Sequence, residues 1–250
     1  MIYIALPAYN EAVALPLLIA RIATISQQYF NNEIRVLVAD DGSKDGTADA
    51  ARSAAQTHGV ELTVISHEVN RGLGMAIKTA LTEALARVPH EDDIIVTMDS
   101  DDTHLPGLIP RMVSLIREGS DVVIASRYQT GARMVGIPWF RQALSIGLSI
   151  LFRVVYPIPG ARDYSCGYRA YRVGALRAAV NRFGDSLFTE RGFACMVDIL
   201  IKTYVCGAIV NEAPMILRYD RKPGATKMPV RRTIVETFTL LGRRRIGNMN

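Results

Sequence analysis

The feature that most constrains the fold is a regular alternation of short apolar runs with longer stretches that have helical spacing. The apolar runs are residues 2–6, 34–39, 62–66, 94–98 and 122–125. The Ala- and Leu-rich stretches between them are residues 13–29, 47–57, 73–88 and 109–118. Short apolar strands separated by helices are typical of an α/β fold whose mostly parallel sheet is covered by helices on both faces. Ligands of such sheets bind beyond the carboxyl ends of the strands.

Composition excludes several other classes. Hydrophobic residues are 49% and charged residues 21% of the 250 residues, which argues against disorder, collagen and coiled coil. The three cysteines show no CxxC spacing, so we expect a reducing compartment and neither a disulfide framework nor a zinc site. We expect no membrane span, because the longest apolar run, residues 143–159, contains Arg153 and falls short of roughly 20 residues.

Polar residues follow the first two apolar runs. Pro7 is expected to end the first strand, because it lacks an N–H group, and Asn10 is expected to cap the next helix. Asp40 and Asp41 follow the second run, where adjacent carboxylates repel each other and lose hydration. A hydrogen-bonding ligand or the amides of the next helix must therefore compensate them. A plain turn is the alternative interpretation of the first segment.

A third acidic segment follows the fourth apolar run. Asp99 and Asp101 lie two residues apart, so in extended backbone their side chains share a face and can meet one hard cation. Mg²⁺ or Mn²⁺ held by one or two carboxylates and completed by substrate phosphates uses this arrangement. Capping of a helix near Pro106 by Asp102 or Thr103 explains only one or two of these acids.

The order and spacing of these motifs resemble glycosyltransferase family 2, and within it the dolichyl- or polyprenyl-phosphate mannosyltransferase type. The resemblance runs from Pro7 to about Met228. It implies a GT-A, Rossmann-like nucleotide-diphosphosugar transferase fold. Residues 1–228 would be one domain, with a nucleotide-sugar half at 1–126 and an acceptor half at 127–228. Residues 229–250 would be a basic amphipathic tail.

The resemblance also implies site residues for the donor. Those that hold the nucleotide sugar would be Pro7, Tyr9, Glu11, Asp40, Asp41, Asp99, Arg221 and Lys227. The cofactor would be Mg²⁺ or Mn²⁺ on Asp99 and Asp101, of which Asp101 counts as catalytic. Thr103 stands where the family usually has a Gln that reaches the metal, so a third protein ligand is left open.

Acceptor residues follow from the same resemblance. Arg127, in the Ala-Ser-Arg-Tyr segment after the fifth run, would face a lipid phosphate together with Arg141 and Ser145. Arg169, in the segment that begins at Asp163, joins this phosphate-binding set. Arginine suits phosphate because its planar group binds two oxygens and stays charged. A surface ion pair is the alternative interpretation for Arg127, and a charge on the face of a helix is the alternative for Arg141.

The implied activity is an inverting, metal-dependent transfer of mannose from GDP-mannose to a polyprenyl or dolichyl phosphate. UDP-glucose or a UDP-N-acetylhexosamine donor, with a lipid-phosphate or glycan hydroxyl acceptor, is the alternative. Asp198 is a candidate base but is disfavoured, because a phosphate monoester with a second pKa near 6 is already a nucleophilic anion. A dehydrogenase is disfavoured because Gly72 and Gly74 do not follow the first strand. A nucleic-acid-binding module lacks basic residues interleaved with aromatics.

The charge is concentrated at the end of the chain. The net charge is +5, yet residues 217–250 carry nine basic and two acidic residues, so the remainder is slightly acidic. This distribution predicts a peripheral location on the cytoplasmic face of a membrane, with the tail on anionic lipid. Residues 140–156 fit an interfacial helix as well as a core helix. A separate membrane subunit is left open as a further partner.

Overall fold

The structure, a computed structural model, describes residues 1–188, 192 and 194–221. Its nine strands in chain order are β1 Ile2–Ala8, β2 Ile34–Asp40, β3 Glu61–Ser66, β4 Ile94–Thr97, β5 Val122–Ser126, β6 Arg133–Val135, β7 Arg169–Arg172, β8 Val210–Pro214 and β9 Ile216–Arg218. Seven of them form one sheet in the order β3-β2-β1-β4-β7-β5-β8, and β6 pairs with β9 in a small second sheet. Within the large sheet only β7 runs antiparallel to its neighbours.

Seven helices are described, namely α1 Ala14–Phe30, α2 Thr47–His58, α3 Leu73–Arg87, α4 Ile109–Arg117, α5 Trp139–Val155, α6 Val173–Phe183 and α7 Ala194–Val205. Short 3₁₀ helices occupy Pro106–Leu108, Gly184–Phe188 and Tyr219–Arg221. No helix within the described ranges is long and apolar enough to cross a membrane. The predicted α/β architecture with a mostly parallel sheet is confirmed, and each predicted strand and helix lies within a few residues of its observed bounds.

The direction of the strands places the functional residues at one edge. β1, β2 and β4 are parallel, and β7 is antiparallel to both β4 and β5. Because β5 is antiparallel to a strand that is itself antiparallel to β4, β5 runs parallel to β4. The carboxyl ends of β1, β2, β4 and β5 therefore meet at the same edge of the sheet. The strands themselves are almost completely buried, which holds that edge rigidly in place.

Two local expectations were wrong. Pro7 does not end β1, which continues to Ala8 with Pro7 in register with Ala39. The Pro7 carbonyl accepts the Ser100 hydroxyl beyond the end of β4. The N and C=O groups of a strand residue point to the same side of the strand. The nitrogen of Pro7 therefore faces the region beyond the end of β4, where no neighbouring strand requires a hydrogen bond from it.

Asn10 does not cap α1, which begins at Ala14. Asn10 instead has a φ of 54°, in the left-handed region that Asn tolerates. Its Oδ1 accepts a hydrogen bond from the Lys44 backbone N–H at 2.9 Å. The segment after β1 is therefore tied to the segment after β2 before the helix starts.

Candidate functional site

Asp41 joins the end of β2 to the loop that precedes α3. Its Oδ1 accepts the Arg71 backbone N–H and its Oδ2 accepts the Gly72 backbone N–H, each at 2.8 Å. The His67 ring lies 2.7 Å from the same carboxylate through Nδ1, and its Nε2 lies 2.9 Å from the Thr79 hydroxyl. Asp41 is 2% exposed. Its carboxylate therefore fixes this loop at the edge of the sheet.

Asp40 is satisfied in a similar way. Its Oδ1 accepts the Ser43 backbone N–H at 3.1 Å, and its Oδ2 accepts the Ser66 hydroxyl at 3.3 Å. The adjacent carboxylates were expected to need a ligand or the amides of the next helix. The structure corrects this expectation, because amides and hydroxyls from two loops and β3 compensate Asp40 and Asp41. Their burial places them beneath the edge, as supports for more exposed groups.

The segment after β1 forms the rim of the site. The Glu11 backbone N–H donates to the Thr47 hydroxyl at 2.9 Å, and the Ala12 N–H donates to Asp45 Oδ2 at 3.0 Å. Asp45 Oδ1 also accepts the Thr47 N–H at the start of α2. These bonds hold the rim in one conformation and leave the Tyr9 side chain at the surface, 37% exposed.

Asp99 and Asp101 differ in exposure. Asp101 is buried, and its Oδ1 accepts the Thr103 hydroxyl at 2.6 Å and the Thr103 N–H at 3.2 Å. The Asp99 side chain is about one-third exposed. Its backbone N–H donates to His104 Nδ1 at 3.1 Å, which leaves the proton of a neutral His104 on Nε2, 3.8 Å from Asp99 Oδ2. Asp99 and Asp101 thus present carboxylate oxygens on one loop, and hydrogen bonds with His104 and Thr103 fix the conformation of its backbone.

The donor set fits a hard divalent cation. Carboxylate oxygens are what Mg²⁺ and Mn²⁺ prefer, and Mg²⁺ commonly binds one or two carboxylates with the rest of its sphere from substrate phosphates and water. Within the described part of the chain no three His, Cys, Asp or Glu side chains converge as a protein-only metal site. Asp99 and Asp101 therefore match a site that a diphosphate completes. Thr103, at the position left open for a third ligand, directs its hydroxyl at Asp101 and orients that carboxylate.

Arg127 follows β5 and lies against a buried carboxylate. Its Nε donates to Asp163 Oδ2 at 2.7 Å, and its Nη2 donates to Asp163 Oδ1 at 2.6 Å and to the Ser165 hydroxyl at 2.8 Å. Burial alone would raise the pKa of Asp163, but the facing Arg127 holds that pKa below its usual value. Burial would lower the pKa of Arg127, and Asp163 outweighs it, so the pKa is raised. Both groups are charged at neutral pH.

Arg141 and Ser145 lie one turn apart on α5. The Ser145 hydroxyl is hydrogen-bonded to the Tyr128 hydroxyl, and the Arg127 guanidinium lies 5.3 Å from the centre of the Tyr128 ring. The Nε of Arg141 is buried and has no hydrogen-bond partner among the described residues. The structure therefore links Arg127 to Ser145 through Tyr128 and places Arg141 one helical turn from Ser145.

The structure corrects the expectation that Arg169 binds the acceptor phosphate. It is fully buried in β7, where its guanidinium donates to the backbone carbonyls of Met196 and Tyr164, each at 2.6 Å. A side chain with no exposed surface and with interior acceptors does not contact a bound phosphate. Arg169 therefore ties the segment after α5 to α7.

Asp198 is also interior. It is 1% exposed and forms an ion pair with Lys202 one turn along α7. A buried carboxylate in an ion pair is disfavoured as a base for an acceptor, as expected from the sequence. Lys227 and residues 229–250 lie outside the described residues, as does the side chain of Arg221.

Sequence reasoning missed three residues that shape the site. Asp163 anchors Arg127, although the sequence shows it only as the first residue of the segment that contains Arg169. His104 lies against Asp99 and is stacked on the Tyr168 ring. Tyr128 follows Arg127 in the sequence and links it to Ser145. Each of these residues lies in or beside a motif, which was the available signal. Their roles could not be predicted because they depend on contacts with residues that are distant in sequence.

Comparison with known proteins gives a consistent result. The family model described as "Glycosyl transferase family 2" matches residues 3–179. A polyprenol monophosphomannose synthase of Mycolicibacterium smegmatis is 30% identical over 223 residues, 89% of this chain and 79% of that protein. An undecaprenyl-phosphate mannosyltransferase of Micrococcus luteus is 32% identical over 223 residues, 89% of this chain and 85% of that protein.

Solved structures agree on the fold. A glucosyl-3-phosphoglycerate synthase from Mycobacterium tuberculosis, 21% identical, superposes with a TM-score of 0.64 over 100% of this chain and 81% of that chain. A mannosyltransferase from Pyrobaculum calidifontis, solved with GDP-Man and Mn²⁺, is 22% identical with a TM-score of 0.63 over 99% of this chain and 65% of that chain. Together with the family match, these similarities confirm the predicted GT-A fold.

Proposed function

Because the chain belongs to glycosyl transferase family 2 and is a glycosyltransferase, we propose that it transfers a sugar from a nucleotide sugar to a polyprenyl phosphate at a membrane surface. GDP-mannose is the donor we favour. Two relatives are named for transfer of mannose to polyprenyl or undecaprenyl phosphate, and a structural neighbour was solved with GDP-Man and Mn²⁺. UDP-glucose and UDP-N-acetylhexosamines are the rival donors.

The observation that carries the acceptor proposal is the state of Arg141. A buried guanidinium Nε without a hydrogen-bond partner is costly, and a phosphate oxygen would satisfy it. Arg127 is charged, is held by Asp163, and is linked through Tyr128 to Ser145, which lies one helical turn from Arg141. Two guanidinium groups and the Ser145 hydroxyl together form a site for a phosphate dianion. This cluster lies at the same sheet edge as Asp99 and Asp101.

The donor would lie along the carboxyl ends of β1, β2 and β4. The exposed Tyr9 ring and the Glu11 segment form the rim against which a nucleoside can lie, and Asp40 and Asp41 hold the loops beneath it. Asp99 and Asp101 would hold Mg²⁺ or Mn²⁺, with Thr103 orienting Asp101. When bound, the cation neutralises diphosphate charge and makes the nucleotide a better leaving group.

The chain's own residues supply position and charge. Arg127, Arg141 and Ser145 orient the acceptor phosphate toward the anomeric carbon, on the side opposite the diphosphate, so that displacement inverts the configuration. A phosphate monoester is largely ionised at neutral pH, so no residue has to remove a proton from it. This agrees with the buried, paired state of Asp198. Arg221 and Lys227 are proposed to close over the donor diphosphate.

The membrane location rests on α5. Its apolar side chains at Trp139, Phe140, Ile150 and Val154 are all more than half exposed. A polyprenyl chain must reach Arg141 from a bilayer, and Arg141 lies on this same helix. An exposed apolar face beside a phosphate site fits a helix lying in the lipid interface. The basic tail, residues 229–250, is proposed to add attraction to anionic lipid.

A thermal-shift panel of nucleotide sugars, with and without Mn²⁺ or Mg²⁺, tests the donor site. GDP-mannose should stabilise the protein in a metal-dependent way, and Asp101→Asn should abolish that shift. Asp102→Asn is the matched control, since Asp102 pairs with Arg21 and has a φ of 57° that Asn tolerates. It should retain the metal-dependent shift. An unchanged shift in Asp101→Asn, or no metal-dependent shift with any donor, would overturn the donor-site proposal.

A further inference from the structure

A polar cleft lies at the C-terminal end of α5, and none of Asp99, Asp101 and Arg141 is among its lining residues. Its volume is about 480 Å³, and it is bounded by the C-terminal end of α5, by residues 157–162 and by β8. The turn at residues 157–162 is pressed onto the strand, because a Cβ on Gly160, where φ is 84°, would lie 1.9 Å from the Val210 carbonyl oxygen. The cleft therefore has a fixed wall.

Two arginines without partners line this cleft. Arg153, in the last turn of α5, and Arg162 are both exposed at its mouth. Neither guanidinium group donates a hydrogen bond or forms an ion pair within residues 1–188, 192 and 194–221. Gln129 and Asn211 add amide groups to the lining. Two cations beside neutral polar groups favour an anion that accepts several hydrogen bonds.

Glu212 forms the inner end of the cleft. It is 9% exposed, and its Oε1 accepts the backbone N–H groups of Arg162 and Asp163 at 2.6 and 2.7 Å. Its other oxygen, Oε2, is buried and has no hydrogen-bond partner among the described residues. Burial raises the pKa of Glu212, against the lowering effect of its hydrogen bonds with the backbone and with Ser126. The Glu212 carboxyl therefore holds the Arg162 turn from the inner end, and the two arginines supply the exposed charge of the cleft.

We propose that this cleft binds the phosphate group of an anionic phospholipid of the bilayer. Arg153 and Arg162 would bind its oxygens. A lipid is favoured over a free phosphate ester because Ile150 and Val154, exposed apolar residues of the same end of α5, would lie in the bilayer surface beside it. This choice rests on the membrane location proposed above.

The cleft is separate from the acceptor-phosphate cluster. Arg141 and Arg153 are twelve residues apart on α5, which corresponds to about 18 Å along the helix axis. The two ends of α5 would thus each hold one phosphate, the acceptor's at Arg141 and a bulk lipid's at Arg153. Arg162 precedes Asp163, the anchor of Arg127, so lipid in the cleft would steady the turn that supports the acceptor site.

Sedimentation with vesicles tests the cleft without donor or acceptor. The full chain is mixed with phosphatidylcholine vesicles that contain or lack phosphatidylglycerol. Arg153→Gln and Arg162→Gln should each weaken binding to the anionic vesicles about fivefold, as expected for about 1 kcal/mol per basic residue at such a surface. Arg117→Gln removes the same charge from the end of α4, at an exposed position outside the cleft, and should bind like the wild type.

A second pair of variants adds charge. Gln129→Glu places a carboxylate in the cleft and should weaken binding, whereas Gln56→Glu, at an exposed position of α2, should not. If Arg117→Gln and Arg153→Gln weaken vesicle binding equally, the attraction is a general property of the charged surface, and the proposal of lipid binding in the cleft is overturned. Wild-type binding by both cleft arginine variants would do the same.

Calorimetry with glycerol 3-phosphate distinguishes the source of the phosphate. One outcome is that glycerol 3-phosphate binds, that Arg153→Gln abolishes this binding, and that the cleft variants leave vesicle binding unchanged. This outcome would identify a free phosphate ester as the ligand and overturn the proposal of a bilayer lipid. Because vesicle binding needs no catalysis, an inactive wild type that still binds anionic vesicles through these arginines would overturn the transferase proposal and leave the cleft standing.

Discussion

Asp163 holds the Arg127 guanidinium by a two-point hydrogen bond, Nε to Oδ2 at 2.7 Å and Nη2 to Oδ1 at 2.6 Å. The carboxylate has no exposed surface, and it also accepts the backbone N–H groups of Arg127 and Cys166. A planar cation fixed at two points has little freedom to rotate. The orientation of Arg127 in the proposed acceptor-phosphate site therefore depends on Asp163, which lies behind the guanidinium group.

Asp163→Asn should lower stability and acceptor affinity together. Removing one partner of a buried ion pair costs about 3–5 kcal/mol, because the other charge is left uncompensated. Urea unfolding measures this loss, and steady-state kinetics should show a higher KM for polyprenyl phosphate with unchanged binding of the nucleotide. The control is Asp92→Asn, whose carboxylate pairs with Arg172 at the surface and is 89% exposed. It should change neither quantity, and equal effects in both variants would contradict the assignment.

Arg141→Gln should impair acceptor use and leave the fold intact. Its Nε is buried without a partner among the described residues, so removing it breaks no hydrogen bond and should not lower the free energy of unfolding by more than about 0.5 kcal/mol. A lost charge-assisted hydrogen bond should raise the KM for the acceptor about tenfold to hundredfold. Arg111→Gln, at an exposed position of α4, should have wild-type kinetics. An unchanged acceptor KM in Arg141→Gln would exclude Arg141 from the phosphate site.

Gly42→Ala should disturb the loop under the donor. Gly42 has a φ of 71°, and a Cβ there would lie 2.6 Å from the carbonyl carbon of Val69 in the loop that Asp41 holds. Gly46 has a φ of 84° and open space around a Cβ, so Gly46→Ala isolates the backbone cost, about 1 kcal/mol. Gly42→Ala should cost about 1–3 kcal/mol more from overpacking and should weaken GDP binding in calorimetry. Identical losses in the two variants would show that the loop contact is unimportant.

Glu212→Gln should change how stability depends on pH. Burial raises the folded-state pKa of Glu212 above its unfolded value, so its stabilising contribution is complete below the unfolded pKa, about 4.3, and is lost as pH rises through the folded pKa. A Gln at this position has no charge to bury and can still accept both backbone N–H groups. Urea unfolding between pH 4 and pH 8 should therefore show the variant gaining stability relative to the wild type as pH rises. Glu68→Gln, at an exposed position, is the control; a constant difference for Glu212→Gln would contradict this account.

The sheet edge was predictable because its signals are local. Each apolar run ended in a polar segment, and the carboxyl ends of parallel strands meet, so Asp41 and Asp99 could be placed together from spacing alone. The resemblance then added Arg127, Arg141 and Ser145; the structure links Arg127 to Ser145 through Tyr128, and Arg141 lies one helical turn from Ser145. The hydrophobic periods of helices and strands predicted the element bounds, because each period depends only on residues a few positions apart.

The remaining features depend on contacts that are distant in sequence. Asp41 is compensated by the amides of Arg71 and Gly72, thirty residues later, so its need for a ligand was overestimated. Arg169 lies on β7, whose antiparallel insertion between β4 and β5 no local pattern announces, and that insertion buries it. An arginine that stabilises an interior loop and one that binds phosphate look alike in sequence.

The most direct measurement of the central claim is transfer of labelled mannose from GDP-mannose to undecaprenyl phosphate by the full chain, with Mn²⁺ or with a chelator. We predict a product that is labile to mild acid, formed only with the metal, and lost in Asp101→Asn but not in Asp102→Asn. UDP-glucose and UDP-N-acetylglucosamine in parallel reactions identify the donor. If no nucleotide sugar labels the lipid phosphate, while a hydroxyl acceptor is labelled, the proposed function is contradicted.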